Sequence, residues 1–178
     1  GYEIHLPTAA GEYLWEALMA AGAEHDVRPF GLEPQRVLRL EKMHVIIGQD
    51  TNAESNPFEA AMPWIVKLDK ESDWIGRYQL EYLNRRGNRD ELVGFVCDNG
   101  KTPVEGSQVI GADGDPAGRI TSSRFSKRLG RAIGIAWVPV ASSEEGTRID
   151  ISDPTGARIP AVVTHKAFYD PDGERLRS

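Results

Sequence analysis

The sequence predicts an α+β protein, helical in its first half and β-rich in its second. Two observations carry this. Apolar residues recur at i, i+4 and i+7 in the amino-terminal half, as at Leu14, Leu18 and Ala21, and aromatic ones at i, i+4 at Tyr78 and Tyr82. That is the spacing of a one-sided helix. After Glu91 the texture changes to six short β-rich runs separated by Gly, Pro, Asn and Asp clusters, the pattern of a small barrel or sandwich. At 178 residues the chain is long enough for a substantial core, in one domain or two small ones.

The chain opens on Gly1 and then alternates through Tyr2-Glu3-Ile4-His5-Leu6. A strand is expected there, with Tyr2, Ile4 and Leu6 on one face and Glu3 and His5 on the other. An opening without Met leads to the expectation of a fragment. Pro7 ends the run, and Thr8 is the expected N-cap of a helix over residues 9–21, with Gly22 closing it. A second helix should begin near Pro34, a residue tolerated at the first helical position, and carry Gln35, Val37, Leu38, Arg39 and Leu40. Residues 43–47 read as a short apolar strand, 48–57 as polar turns, 58–68 as an apolar stretch holding Trp64, and 77–85 as a third helix. The polar run from Arg85 to Arg89 places a boundary between domains 1–87 and 88–178. Strands are expected at 92–97, 107–110, 118–122, 132–138, 148–151 and 158–164.

Composition excludes several functions. Lys plus Arg is 21 against 27 Asp plus Glu, a net charge of −6, whereas duplex binding rests on excess positive charge. No nucleic-acid partner is expected. No apolar run approaches the roughly 20 residues of a membrane span, and a mean hydropathy of −0.42 fits a soluble chain. A cytoplasmic setting is expected. Cys97 is the single cysteine, so neither an intrachain disulfide nor a cysteine metal cage is possible. His5, His25, His44 and His165 lack metal-ligand spacing, and Asp113-Gly-Asp115 and Asp170-Pro-Asp172 read as turn residues, so no metal is expected. No phosphate-binding glycine loop is present, and packing or a bulge accounts for Gly130 and Gly134.

Two features remain. Ser122, Ser123 and Ser126 lie among Arg119, Arg124, Lys127, Arg128 and Arg131, either an anion-binding cluster or a solvated basic hairpin. Glu3 sits opposite an apolar face. It either meets solvent or enters a pocket, where two carboxylate oxygens can accept two parallel N–H donors from a planar ligand edge.

Several segments carry a family resemblance: Gly1-Tyr-Glu-Ile, the run from Gly31 to Lys42 through Gln35-Arg-Val-Leu-Arg-Leu-Glu-Lys, Ile47-Gly-Gln-Asp50, the run from Asn56 to Lys70, Trp74-Ile-Gly-Arg77, the run from Gly118 to Gly130, and Ile133-Gly-Ile-Ala-Trp-Val-Pro139. In this order they resemble the later part of the glycine cleavage T-protein (aminomethyltransferase) superfamily. The resemblance implies the carboxy-terminal part of a folate-binding α/β domain followed by a small antiparallel β-barrel. Gln35 where T-proteins have arginine, Ser123-Arg-Phe-Ser, and the tail from Ala167 to Arg177 look more like the sarcosine oxidase alpha subunit.

That resemblance implies a tetrahydrofolate-binding portion of an oxidase-like enzyme, passing a one-carbon unit from an oxidised N-methyl amine to tetrahydrofolate. FAD or FMN and NAD would then lie in other domains or subunits. The alternatives are a glycine cleavage aminomethyltransferase and a non-catalytic docking module. Glu3 matches the family's pterin-binding glutamate. The folate-contacting arginine falls at Gln35, with Arg36 or Arg39 as substitutes, and Tyr169 lies near a ligand-contacting tyrosine. The family's catalytic aspartate falls upstream of residue 1, so no catalytic residue is assigned here and the fragment alone is expected to be inactive. Its expected partners are the folate and the other domains or subunits of a parent enzyme.

Overall fold

The computed structural model describes residues 2–177. Gly1, the first residue of the Gly-Tyr-Glu-Ile segment, lies outside the described residues. Two compact units divide the chain, one reaching Pro34 and the other starting at Gln35.

The first unit is built on helix α1 (Gly11–Gly22), preceded by a 3-10 turn at Thr8–Ala10 and followed by another at Ala23–His25. The helix starts later than expected, and Thr8 does not cap it. The Pro7 carbonyl accepts from the Ala10 N–H at 2.9 Å, which closes the 3-10 turn first. Gly22 is buried because Val27 packs where a Cβ would stand. Residues 2–6 form no strand among the described residues. An alternating run becomes a strand only where a ladder partner takes its N–H and C=O groups. Trp15, Leu18, Phe30 and Tyr13 stay exposed.

Helix α2 (Leu32–Glu41) runs from the end of the first unit into the second. Pro34 falls in its first turn, where backbone N–H groups have no helical acceptor, so the missing donor costs nothing. Residues 43–47 form no strand; Ile47 makes only an isolated bridge with Thr51. The reason is the helix end itself, where Met43 turns to φ 55° and Val45 packs beneath the barrel's outer face. Helix α3 (Arg77–Arg86) follows, closed by Gly87 at φ 80°, with an Arg77–Glu81 ion pair of 2.8 Å along its first turns.

Six antiparallel strands close a barrel in the order β1-β4-β3-β2-β5-β6. They are β1 (Asp90–Cys97), β2 (Gln108–Ile110), β3 (Pro116–Ser126), β4 (Arg131–Pro139), β5 (Arg148–Ser152) and β6 (Arg158–Thr164). The barrel replaces the sandwich alternative, and the α+β class stands. Alternation sorts the residues. Val93, Phe95, Cys97, Ala132, Ala136 and Val138 point inward with Ile149, Ile151 and Val163 to form the interior core. Leu92, Ile133, Ile135 and Trp137 point outward and are covered by Leu40, Ala60, Val45 and Met62. Gly134 permits this layering: a Cβ there would lie 2.3 Å from the Ser122 carbonyl oxygen and 2.4 Å from the Phe95 ring. Gly130 has a different task, turning the β3–β4 hairpin at φ 68°.

Cys97 is a buried thiol. Burial and then the nearby Asp98 charge push its pKa up to about 12.

Candidate functional site

Glu3 is exposed in the first unit, 3.3 Å from His5 Nε2. No backbone N–H binds its carboxylate among the described residues; Oε1 faces His5, and both oxygens lie at the surface as acceptors.

Helix α2 carries the three other candidates of the Leu-rich segment. Gln35 and Arg36 are exposed on it. Arg39 is not: its side chain is 10% exposed, and its partner Asp50 is fully buried. Arg39 donates to Asp50 Oδ2 at 2.6 Å, to the His44 carbonyl at 3.0 Å and to Ser122 Oγ. Asp50 also accepts from Ile46 N–H at 2.8 Å, Thr121 Oγ1 at 2.6 Å and Ser122 Oγ. Its carbonyl takes the Trp137 indole N–H at 2.7 Å. This network fastens the end of α2 and the 46–51 turn to β3 and β4. The fold thus takes up Arg39, whereas Arg36 lies on the exposed face of α2.

Tyr169 meets the same carboxy-terminal end of α2, away from Gln35. Its N–H donates to the Glu41 carbonyl at 2.9 Å, and Lys42 Nζ donates to the Asp170 carbonyl at 2.5 Å. The six steps from Gln35 to Glu41 rise about 9 Å, which sets the span along the helix between Gln35 and the Tyr169 contact. The Arg128 guanidinium lies 4.2 Å from the Tyr169 ring centroid and that of Arg175 at 5.9 Å. Burial pushes the Asp170 carboxyl up, but the Arg175 N–H, the Lys42 charge and the Glu174 N–H outweigh it and hold it below its usual range. The companions of Tyr169, Arg128 and Arg175, were missed from sequence. Arg128 was visible only as one member of a basic run.

Two serines of the basic run are taken up by carboxylates. Ser122 is buried on Asp50, and Ser126 donates to Glu41 Oε1 at 2.6 Å. Arg124 pairs with Glu105 at 2.7 Å. Asp113 accepts from the Asp115 N–H at 3.1 Å as an ordinary turn residue, and no metal-binding cluster occurs among the described residues. No helix among them is long and apolar enough to cross a membrane.

Comparison with known proteins adds the family. Residues 1–70 match the family model described as the GCVT N-terminal domain, and residues 91–170 match the glycine cleavage T-protein C-terminal barrel domain. The chain belongs to the glycine cleavage T-protein superfamily. Relatives named aminomethyltransferase include one from Saccharopolyspora erythraea, 35% identical over 95% of this chain and 46% of its own length. Another, from Xanthomonas campestris, is 38% identical over 90% of this chain and 41% of its own. The structure of the glycine cleavage system aminomethyltransferase T from Bartonella henselae shares the fold of this T-protein-like chain, with a TM-score of 0.83 and 24% identity. That match covers 93% of this chain and 45% of the other. The chain therefore spans about half the length of the curated relatives it matches. Their names favour the aminomethyltransferase alternative over the oxidase-type expectation.

Proposed function

We propose that this chain is the folate-binding portion of an aminomethyltransferase, which helps to hold tetrahydrofolate while a one-carbon unit is transferred to it. Residues 1–87 would be the carboxy-terminal part of the folate-binding domain and 88–178 the barrel that covers it. The observation that carries the reading is Glu3, a carboxylate in the matched Gly-Tyr-Glu-Ile segment with both oxygens outside any backbone hydrogen bond. Its two acceptors suit the parallel N–H donors on the amino-pyrimidinone edge of a pterin.

Tetrahydrofolate supplies the amine nitrogens that take up the one-carbon unit. Glu3 fixes the orientation of the pterin edge through two charge-assisted hydrogen bonds, each contributing roughly 1.5–3 kcal/mol. Gln35 and Arg36 present a donor and a charge from the surface of α2. Tyr169, with Arg128 above its ring, offers an aromatic face beside a cation at the other end of that helix. Such groups position the ligand and keep water away, and positioning is the larger part of what a transfer to a ready nucleophile requires.

The test uses the full-length protein. Tetrahydrofolate at 100 times its dissociation constant should raise stability by about 2.7 kcal/mol, read as a thermal shift. Glu3→Gln should remove the shift, because an amide N–H then faces a ligand donor, and leave the unliganded melting temperature unchanged, because the side chain is exposed. An undiminished shift in the variant refutes the pterin role. No shift with Glu3 intact supports the docking-module alternative.

A further inference from the structure

Two clefts on the second unit meet at Ala61 and His165. The first, about 420 Å³, is floored by Leu92, Val93 and Ile135 and walled by Met43, Met62 and Trp64. The second, about 480 Å³, is mixed in lining, more polar than the first, and includes Asn84, Asn88 and Glu91. Both volumes lie in the range of small-molecule sites. Gln35, Arg36 and Tyr169, the folate candidates on this same unit, line neither.

The backbone marks the apolar cleft. Met43 and Ala61 stand at φ 55° and 57° without being glycine. Each ends a helical turn in the same manner. Met43 N–H reaches the Leu40 carbonyl and His44 N–H the Arg39 carbonyl, both at 2.8 Å. Ala61 N–H reaches the Phe58 carbonyl at 3.3 Å and Met62 N–H the Pro57 carbonyl at 2.8 Å. Glycine is the residue of lowest cost at this left-handed position. Here both positions bear a side chain, and both residues line one cleft. Strain held at two neighbouring points of a cavity wall is a feature of ligand-binding sites.

The acceptors of the second cleft mark the ligand's charge. Glu91 is half-buried; its Oε2 accepts from Ser143 Oγ at 2.7 Å, and its other oxygen has no donor among the described residues. His165 Nε2 donates to the Ser143 carbonyl at 2.7 Å, so in the neutral ring Nδ1 is an acceptor. Asn88 donates its amide to the Phe58 carbonyl at 3.2 Å, which leaves its oxygen as an acceptor. Among the described residues no lysine or arginine lines either cleft. We propose that the joined clefts bind a small amphipathic amine, with its apolar body against Met62 and Trp64 and its ammonium group on Glu91.

Calorimetric titration of the full-length protein at pH 7 with 4-phenylbutylamine, 4-phenylbutanol and 4-phenylbutyrate tests this. The amine should bind saturably and at least tenfold more tightly than the alcohol, and the acid should not bind. Glu91→Gln keeps an acceptor for Ser143; it should abolish the tenfold preference and leave alcohol binding unchanged. Met62→Trp fills the apolar cleft without touching Glu91 and should weaken amine and alcohol alike. Absence of saturable amine binding, which a second copy or another part of the polypeptide seated in the cleft would produce, overturns the proposal. So does an amine preference that survives Glu91→Gln, or binding that survives Met62→Trp.

Discussion

Asp50→Asn isolates the clasp between α2 and the barrel. Asp50 is fully buried, and its two oxygens accept four hydrogen bonds, from Arg39, the Ile46 N–H, Thr121 and Ser122. An amide keeps one acceptor oxygen and turns a donor toward donors. The larger effect is on Arg39, whose guanidinium is 90% buried and loses its counter-charge. Breaking a buried pair from one side costs about 3–5 kcal/mol. At roughly 2–4 °C per kcal/mol for a chain of this size, the melting temperature should fall by about 10 °C. Urea unfolding followed by tryptophan fluorescence is a direct assay, since the Trp137 indole donates to the Asp50 carbonyl. The double variant Arg39→Met with Asp50→Asn should be at least as stable as Asp50→Asn alone, because no uncompensated charge is left behind. A loss below about 1 kcal/mol for Asp50→Asn, or a double variant weaker by the sum of both single changes, would refute the view that this pair locks the helix to the barrel.

Two further outcomes follow from the buried thiol and the surface carboxylates. With its pKa pushed up to about 12, Cys97 should not react with Ellman's reagent at pH 8 until denaturant opens the barrel; prompt labelling of the native protein would contradict its burial. Glu145 is held below its usual range chiefly by the His165 N–H, and Asp153 by the Thr155 hydroxyl and N–H. Groups with a depressed folded pKa contribute stability that is complete above the unfolded value of about 4 and lost as pH falls through the folded value. Urea midpoints should therefore hold from pH 7 to 5 and decline toward pH 3; a rise on acidification would reverse that sign.

The six β runs were legible because each couples alternation to a turn signal, and all six occur in the expected order. The end of β3 was not. Ser123 to Ser126 look like loop residues because Phe125 is their single apolar side chain, yet Ser122 and Ser126 are buried by Asp50 and Glu41, carboxylates about 70 and 85 positions away in sequence. The two missing strands failed for the opposite reason. Residues 2–6 and 43–47 have the right residues but no ladder partner among the described residues, and a strand is a property of a pair. At the site, Glu3 and Tyr169 were legible only through the segments that carry the family resemblance. Arg39 lies in that same run, but its commitment to Asp50 depends on a turn that brings together residues eleven apart.

The closing seam of the barrel orders its assembly in time. β1 needs β4 on one side and residues 161–164 of β6 on the other. A nascent chain that has emerged only as far as β5 has every inner residue of β1 in place and one row of its backbone groups still unanswered. Until the last strand leaves the ribosome, that row is open to any extended peptide nearby. Stalling translation between the fifth and sixth strands should thus be the point at which this chain is most prone to pair with the wrong neighbour.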